Sequence, residues 1–179
     1  MRLVLFRHGP AGDRDPARWP DDGKRPLTSK GVQKTKDAAR GLIKLERGIT
    51  LILTSPLVRA AETAQILKDT LGDRARIVTL DELSPGGSNR ALIAQLADLP
   101  QTRTVVVVGH EPGLGKLAAL LALGSGTTGE IKLKKAGACG IRFDGPPRAG
   151  AGDLTWLLTR RLLARLGRSR RQKEVKGAI

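Results

Sequence analysis

Four short apolar runs, at residues 3–6, 50–54, 76–80 and 104–108, alternate with segments in which apolar residues recur at helical spacing. This alternation constrains the fold more than any other feature of the chain. Short apolar runs bounded by polar turns read as strands, the first and the fourth of them buried. Thr28 is expected to cap a helix running to about Glu46, within which Val32, Ala39, Leu42 and Ile43 recur at helical spacing. Ser55 at the N-cap and Pro56 in the first turn predict a second helix, ended near Leu71 by Gly72. Ser88 opens a third, to about Ala97, and Pro112 a fourth, through about Leu123. A repeated strand–helix order argues for an α/β fold with a mostly parallel central sheet. Weaker strand signals follow at 131–133 and 139–143, and a last strand is expected at 153–159. There is no internal repeat and no dividing linker. Residues 1–160 are therefore expected to form a single domain, and 161–179 a basic tail.

Charge narrows the partners. The chain has 32 basic and 17 acidic residues, a formal net charge of +15. Such a field favours phosphate esters, phosphoproteins, nucleic acid or acidic lipid. Aromatic residues make up only 2%, with no Tyr, which argues against the base stacking many single-strand nucleic-acid binders use. Between Arg160 and Ile179 eight residues are basic and only Glu174 is acidic, so a solvated, partly disordered end is expected there. Cys139 is the only cysteine, which rules out an intramolecular disulfide and a cysteine-based metal cluster. No His/Asp/Glu grouping has ligand spacing, so no metal or cofactor is expected. The first apolar run is too short for a signal peptide, and the longest, 117–123, is far short of a membrane span. A soluble, cytoplasmic protein without a membrane partner is expected.

His8 and His110, the only histidines, each directly follow an expected strand. Ligands of open α/β sheets bind at that edge. Arg7 precedes the first and Gly9 follows it, and Arg59, early in the helix after the second strand, can reach the same edge. Two arginines and two histidines together form an anion site, because guanidinium forks match phosphate oxygens. Helix starts at Pro56 and Pro112 would add backbone N–H groups. A neutral imidazole inside such a site is a nucleophile near pH 7. Fixed cations would stabilise the charge that builds on the phosphoryl oxygens. Each residue also has a blander use: His8 as a turn residue, Arg59 as an i,i+3 partner of Glu62, His110 as a helix-start residue. Their joint placement at one sheet edge favours the site.

These residues also carry a family resemblance. The stretch Leu5-Phe6-Arg7-His8-Gly9 resembles the RHG motif of the histidine phosphatase superfamily, also called phosphoglycerate mutase-like. Arg25-Pro26-Leu27-Thr28 with Gly31 is similar to its PLT segment. Residues 55–64, with Ser55, Pro56, Arg59, Ala60, Glu62 and Thr63, resemble its "SP..RA.ET" pattern. Asp81-Glu82-Leu83 resembles the acidic segment after the third strand, and Gly109-His110-Glu111-Pro112 the second-histidine motif. The match keeps one order over about residues 1–122. It implies a three-layer αβα sandwich, His8 as the phosphorylated nucleophile, and Arg7, Gly9, Arg59 and His110 around the phosphate. Glu82 falls where many members keep a proton donor. Pro10 departs from the acidic or polar residue common after the motif, which touches the rim of the site and not the core mechanism.

Only 28 positions separate Glu82 from His110. Mutases and several metabolite phosphatases of the superfamily carry a long cap insertion there, for which this chain has no room. The compact form most resembles the SixA-type phosphohistidine phosphatases, whose substrate is a phosphohistidine on a signalling protein's phosphotransfer domain. The resemblance implies a metal-independent phosphatase, expected to be a monomer, acting on a phosphorylated protein or a small phosphorylated substrate. A broad small-molecule phosphomonoesterase is the alternative within the class. A basic nucleic-acid or polyanion-binding module, driven by the tail, is the alternative outside it.

Overall fold

The computed structural model describes residues 1–72, 75–101 and 103–168. Strand β1 (Arg2–Arg7) leads through a polar loop to helix α1 (Ser29–Leu45). Then follow β2 (Ile49–Thr54), α2 (Val58–Leu71), β3 (Arg76–Thr79), α3 (Asn89–Ala97), β4 (Thr104–Gly109) and α4 (Gly113–Leu123). The described chain ends with β5 (Ala138–Arg142), β6 (Asp153–Leu158) and α5 (Arg160–Gly167). The six strands form one sheet in the order β3-β2-β4-β1-β5-β6. The first four run parallel, and β5 and β6 are antiparallel additions at one side. The fold is thus the α/β architecture with a mostly parallel sheet that the sequence predicts.

Side chains alternate along each strand, so the central strands feed two cores. Val4, Phe6, Val106 and Val108 enter the core that also takes residues of α1, α2 and α5. Leu3, Leu5, Val105 and Val107 enter the opposite core, which takes residues of α3 and α4. Helices therefore cover both faces, and β4, buried along its whole length, reads as a continuous apolar run for that reason.

Three expectations need correction. Ser55 is not the N-cap of α2: the helix begins at Val58 and Leu57 holds the cap position, while the Ser55 hydroxyl accepts the Leu57 N–H at 3.3 Å and also meets His110. Residues 131–133 form no strand. Leu133 is buried, but its backbone N–H and C=O bond to side chains rather than to a ladder. The tail expected from 161 is helical as far as Gly167 and lies against α1, with Leu163 buried in the core. The rest of that segment, 169–179, lies outside the described residues.

Candidate active site

The register of three neighbouring strands assembles the site. Arg7 of β1 lies opposite Gly109 of β4, and Thr54 of β2 opposite Val108. The next residue of each strand is therefore His8, His110 or Ser55. Backbone bonds continue past the ladder: His8 N–H donates to Gly109 O at 3.1 Å, and Ser55 N–H to Val108 O at 3.1 Å. The two imidazoles lie with centroids 5.0 Å apart and planes at 50°. Both are buried.

His8 is held in one tautomer. Its Nδ1 lies 2.7 Å from the Gly9 carbonyl oxygen, which can only accept, so Nδ1 carries the hydrogen and Nε2 keeps the lone pair. Burial drives its pKa down to about 3, and His110, Arg59 and Arg7 press in the same direction against the Gly9 bond. His8 is therefore neutral at physiological pH. His110 is lowered to about 4, first by burial and then by Arg59. Its Nε2 lies 2.9 Å from Ser55 Oγ. In the tautomer that accepts the hydroxyl hydrogen at Nε2, Nδ1 carries a proton, and that atom is buried without a partner among the described residues.

The arginines are fixed from behind. Arg7 Nη1 donates to Leu133 O at 2.8 Å. Arg59, in the first turn of α2, donates from Nη1 to Asp22 O at 2.8 Å and pairs through Nη2 with the Asp22 carboxylate at 3.1 Å. The Nε atoms of both arginines are buried and unpartnered among the described residues. Arg7 and Arg59 both depress the pKa of both histidines, so the four side chains share one electrostatic site. With His110 in the Nδ1-protonated tautomer it holds three buried, unspent donors (Arg7 Nε, Arg59 Nε and His110 Nδ1) together with the lone pair of His8 Nε2. Such a set can bind a tetrahedral oxyanion and attack it.

Two expected members stand differently. The Gly9 N–H is donated to Thr63 Oγ1 at 3.0 Å, so it is not available to a phosphate. Gly9 acts through its carbonyl, which orients His8. Glu82 is half-buried, on a short 3-10 turn (Asp81–Leu83) after β3. Gln95 Nε2 donates to its Oε1 at 2.8 Å. Glu82 and His110 line one cavity of about 280 Å3 with the Pro85–Gly87 loop, Glu111 and Lys116. The i,i+3 pairing of Arg59 with Glu62 does not form: Glu62 Oε2 accepts the Leu27 N–H at 2.7 Å.

Sequence reasoning missed Asp22, Ser55 and Glu111. Asp22 binds Arg25 at 2.8 Å, Arg14 at 3.5 Å and Arg59. The Arg25 bond first of all lowers its pKa to about 2, so it stays ionised. It sits in a loop of mixed charge without periodicity, where position gives no signal. Glu111 accepts the N–H groups of Leu133 at 2.7 Å and Gly115 at 3.2 Å. Its place directly after His110 was the available clue.

Comparison with known proteins bears on the family and the fold. Residues 3–85 match the family model of the histidine phosphatase superfamily (branch 1). An uncharacterized protein of Picosynechococcus sp. is 43% identical over 145 residues, 79% of this chain and 85% of that protein. The phosphohistidine phosphatase SixA of Escherichia coli (strain K12) is 32% identical over 126 residues, covering 69% of this chain and 76% of the relative. A solved structure of the protein histidine phosphatase SixA complexed with tungstate superposes with a TM-score of 0.78 at 28% identity, over 91% of this chain and 99% of that one.

Proposed function

The chain belongs to the histidine phosphatase superfamily and is a phosphatase, and we propose that it hydrolyses phosphohistidine on a partner protein through a phosphorylated His8. One observation carries the mechanism. A neutral His8, its Nδ1 hydrogen spent on Gly9, turns Nε2 to a site with two guanidinium groups and His110. Cys139, the other candidate nucleophile type, is buried with its thiol pushed up to about 12, and a protonated thiol does not attack phosphorus.

In the first step His8 Nε2 attacks the phosphoryl group in line. The Nε2–P bond forms as the substrate's P–N bond breaks, and the electron pair leaves on the substrate imidazole, which takes a proton. Arg7, Arg59 and His110 stabilise the charge on the phosphoryl oxygens. In the second step water attacks phospho-His8, orthophosphate departs, and the lone pair returns to Nε2. Glu82, beside His110 in the same cavity, is the candidate to move protons in either step. The P–N bond is labile, so the departing imidazole needs little acid assistance, and a half-exposed carboxylate suffices.

Two observations support a protein-borne substrate. The interval between Glu82 and His110 is occupied by α3 and β4 and contains no cap among the described residues. The relative SixA acts on phosphohistidine and a SixA structure carries tungstate, a tetrahedral oxyanion. The test is turnover on a phosphohistidine protein beside a panel of phosphoesters, with His8→Ala as control and trapping of the phosphoenzyme by an alkaline denaturing quench, in which the P–N bond survives. The expected result is fast release from phosphohistidine, label on His8, and none in the variant. High rates on sugar phosphates with none on phosphohistidine reject the substrate, and turnover without label on His8 rejects the covalent route.

A further inference from the structure

Away from the active site, exposed apolar side chains cluster in one stretch. Of the six large hydrophobic residues exposed among the described residues, four fall between 154 and 166: Leu154 at 39%, Leu157 at 46%, Leu162 at 43% and Leu166 at 45%. The first two lie on β6, the edge strand of the sheet, opposite Ile141 and Cys139 on the α3–α4 side, and the last two on α5, which follows β6 directly and packs on the other side. Helix α5 buries Leu163 and turns Arg161, Leu162, Arg165 and Leu166 outward. At 100° per residue these four span one arc, arginines on one side and leucines on the other. Between 154 and 168 the chain carries four arginines and no carboxylate. The neighbouring α1 adds exposed Lys34, Lys36 and Lys44, and Arg40 paired with Asp37 at 2.9 Å, and the Lys44 ammonium reaches the α5 carbonyl of Gly167 at 3.0 Å.

A patch of arginines alone would suit any polyanion. Leucines in a row beside arginines, on a helix without acids, suit a partner that offers negative charge above hydrocarbon. We propose that the outward face of α5 docks on an anionic lipid bilayer. Leu162 and Leu166 enter the acyl boundary while Arg161, Arg165 and the basic face of α1 meet the headgroups. The helix lies on the membrane and does not cross it, since no helix among the described residues is long and apolar enough to span one. A surface-lying helix needs no membrane-spanning segment. A nucleic acid would leave the leucines in water. The pairing of Ala138 with both Phe6 and Leu158 puts the start of α5 at the sheet edge that carries His8, so docking brings the active site close to the bilayer without covering it with α5 itself.

The experiment is cosedimentation of the full chain with vesicles of phosphatidylcholine alone or mixed with phosphatidylglycerol, at low and high salt, with duplex DNA as a separate ligand. The chain is expected to sediment with the anionic vesicles, to ignore the neutral ones, and to be released by salt. The Leu162→Ser/Leu166→Ser pair keeps every charge and is expected to weaken anionic-vesicle binding at least about tenfold. Arg161→Gln/Arg165→Gln is expected to do the same, and both pairs to keep the wild-type phosphatase rate in solution. Undiminished vesicle binding by the leucine pair would overturn the proposal. So would equal binding to neutral vesicles, or capture by DNA with no binding to vesicles.

Discussion

Glu111 accepts the Leu133 N–H at 2.7 Å while the Leu133 carbonyl, on the other side of the same residue, accepts Arg7 Nη1 at 2.8 Å. The residue after the second histidine thus fixes the arginine before the first, through the backbone of a segment outside the sheet ladder. Glu111→Ala is expected to lower kcat/KM by about one to two powers of ten, because a small misplacement of a charge-stabilising group is felt at the transition state. Glu111→Gln keeps an acceptor for Leu133 and is expected to recover most of the loss. Steady-state kinetics of the two variants checks this, and equal losses would mean that charge, not position, is what Glu111 supplies.

Arg59 and Asp22 form the second such pair. The carboxylate and carbonyl of Asp22 take the Nη edge of the guanidinium, leaving Nε as the unspent donor. A lysine cannot do both at once. Arg59→Lys is expected to lower kcat/KM by about two to three powers of ten, and Asp22→Asn, which keeps the backbone contact, by about tenfold. Arg59→Ala should cost more than either. A lysine variant within a factor of about two of wild type would show that only the charge at 59 matters.

The pH dependence has a definite sign. The nucleophile must be neutral, and His8 is lowered to about 3 and His110 to about 4. Neither histidine should produce an inflection in kcat/KM between about pH 5 and 8, the range in which an unperturbed histidine titrates. Stability behaves oppositely to the usual salt-bridged histidine. Because the folded pKa values lie below the unfolded 6.5, the unfolded chain binds more protons in that window. The histidine contribution is fully retained above 6.5 and is lost as pH falls from there toward 4 and then 3. Imidazole NMR shifts that stay constant from pH 8 to 5, with denaturant midpoints falling over the same descent, are the expected readings. A histidine titrating near 6.5 in the folded protein would contradict them.

Sequence legibility followed sequence locality. His8, His110 and Arg59 could be placed because each sits within a few residues of a strand end, and the order of apolar runs fixes which edge those ends share. The groups that hold them could not. Asp22 reaches Arg59 from 37 positions away and Leu133 reaches Arg7 from 126, and neither contact leaves a periodic trace. Ser55 shows where a local rule stops short: Ser before Pro is a good helix start, and its hydroxyl does accept the Leu57 N–H, but the helix begins only at Val58 and the same hydroxyl bonds a buried imidazole 2.9 Å away. The same holds for α5. Its composition reads as tail, and its helicity comes from burying Leu163 against α1.

Gly41 in α1 is where two opposing rules give different signs for one substitution. Replacing a mid-helix glycine with alanine ordinarily stabilises a helix by about 0.5–1 kcal/mol. Here a Cβ would collide with the Leu163 carbonyl of α5, a backbone atom that cannot rotate away. Clearing it requires α5 to move off α1, with loss of the buried Leu163 contact, and overpacking of this kind costs about 1–3 kcal/mol. The collision outweighs the propensity, so Gly41→Ala is expected to lower the melting temperature and to raise amide exchange in α5 before the central strands. The site residues are held by β1, β2, β4 and α2, so turnover at low temperature should change little. A melting temperature above wild type would mean that α5 does not pack on α1 at this distance.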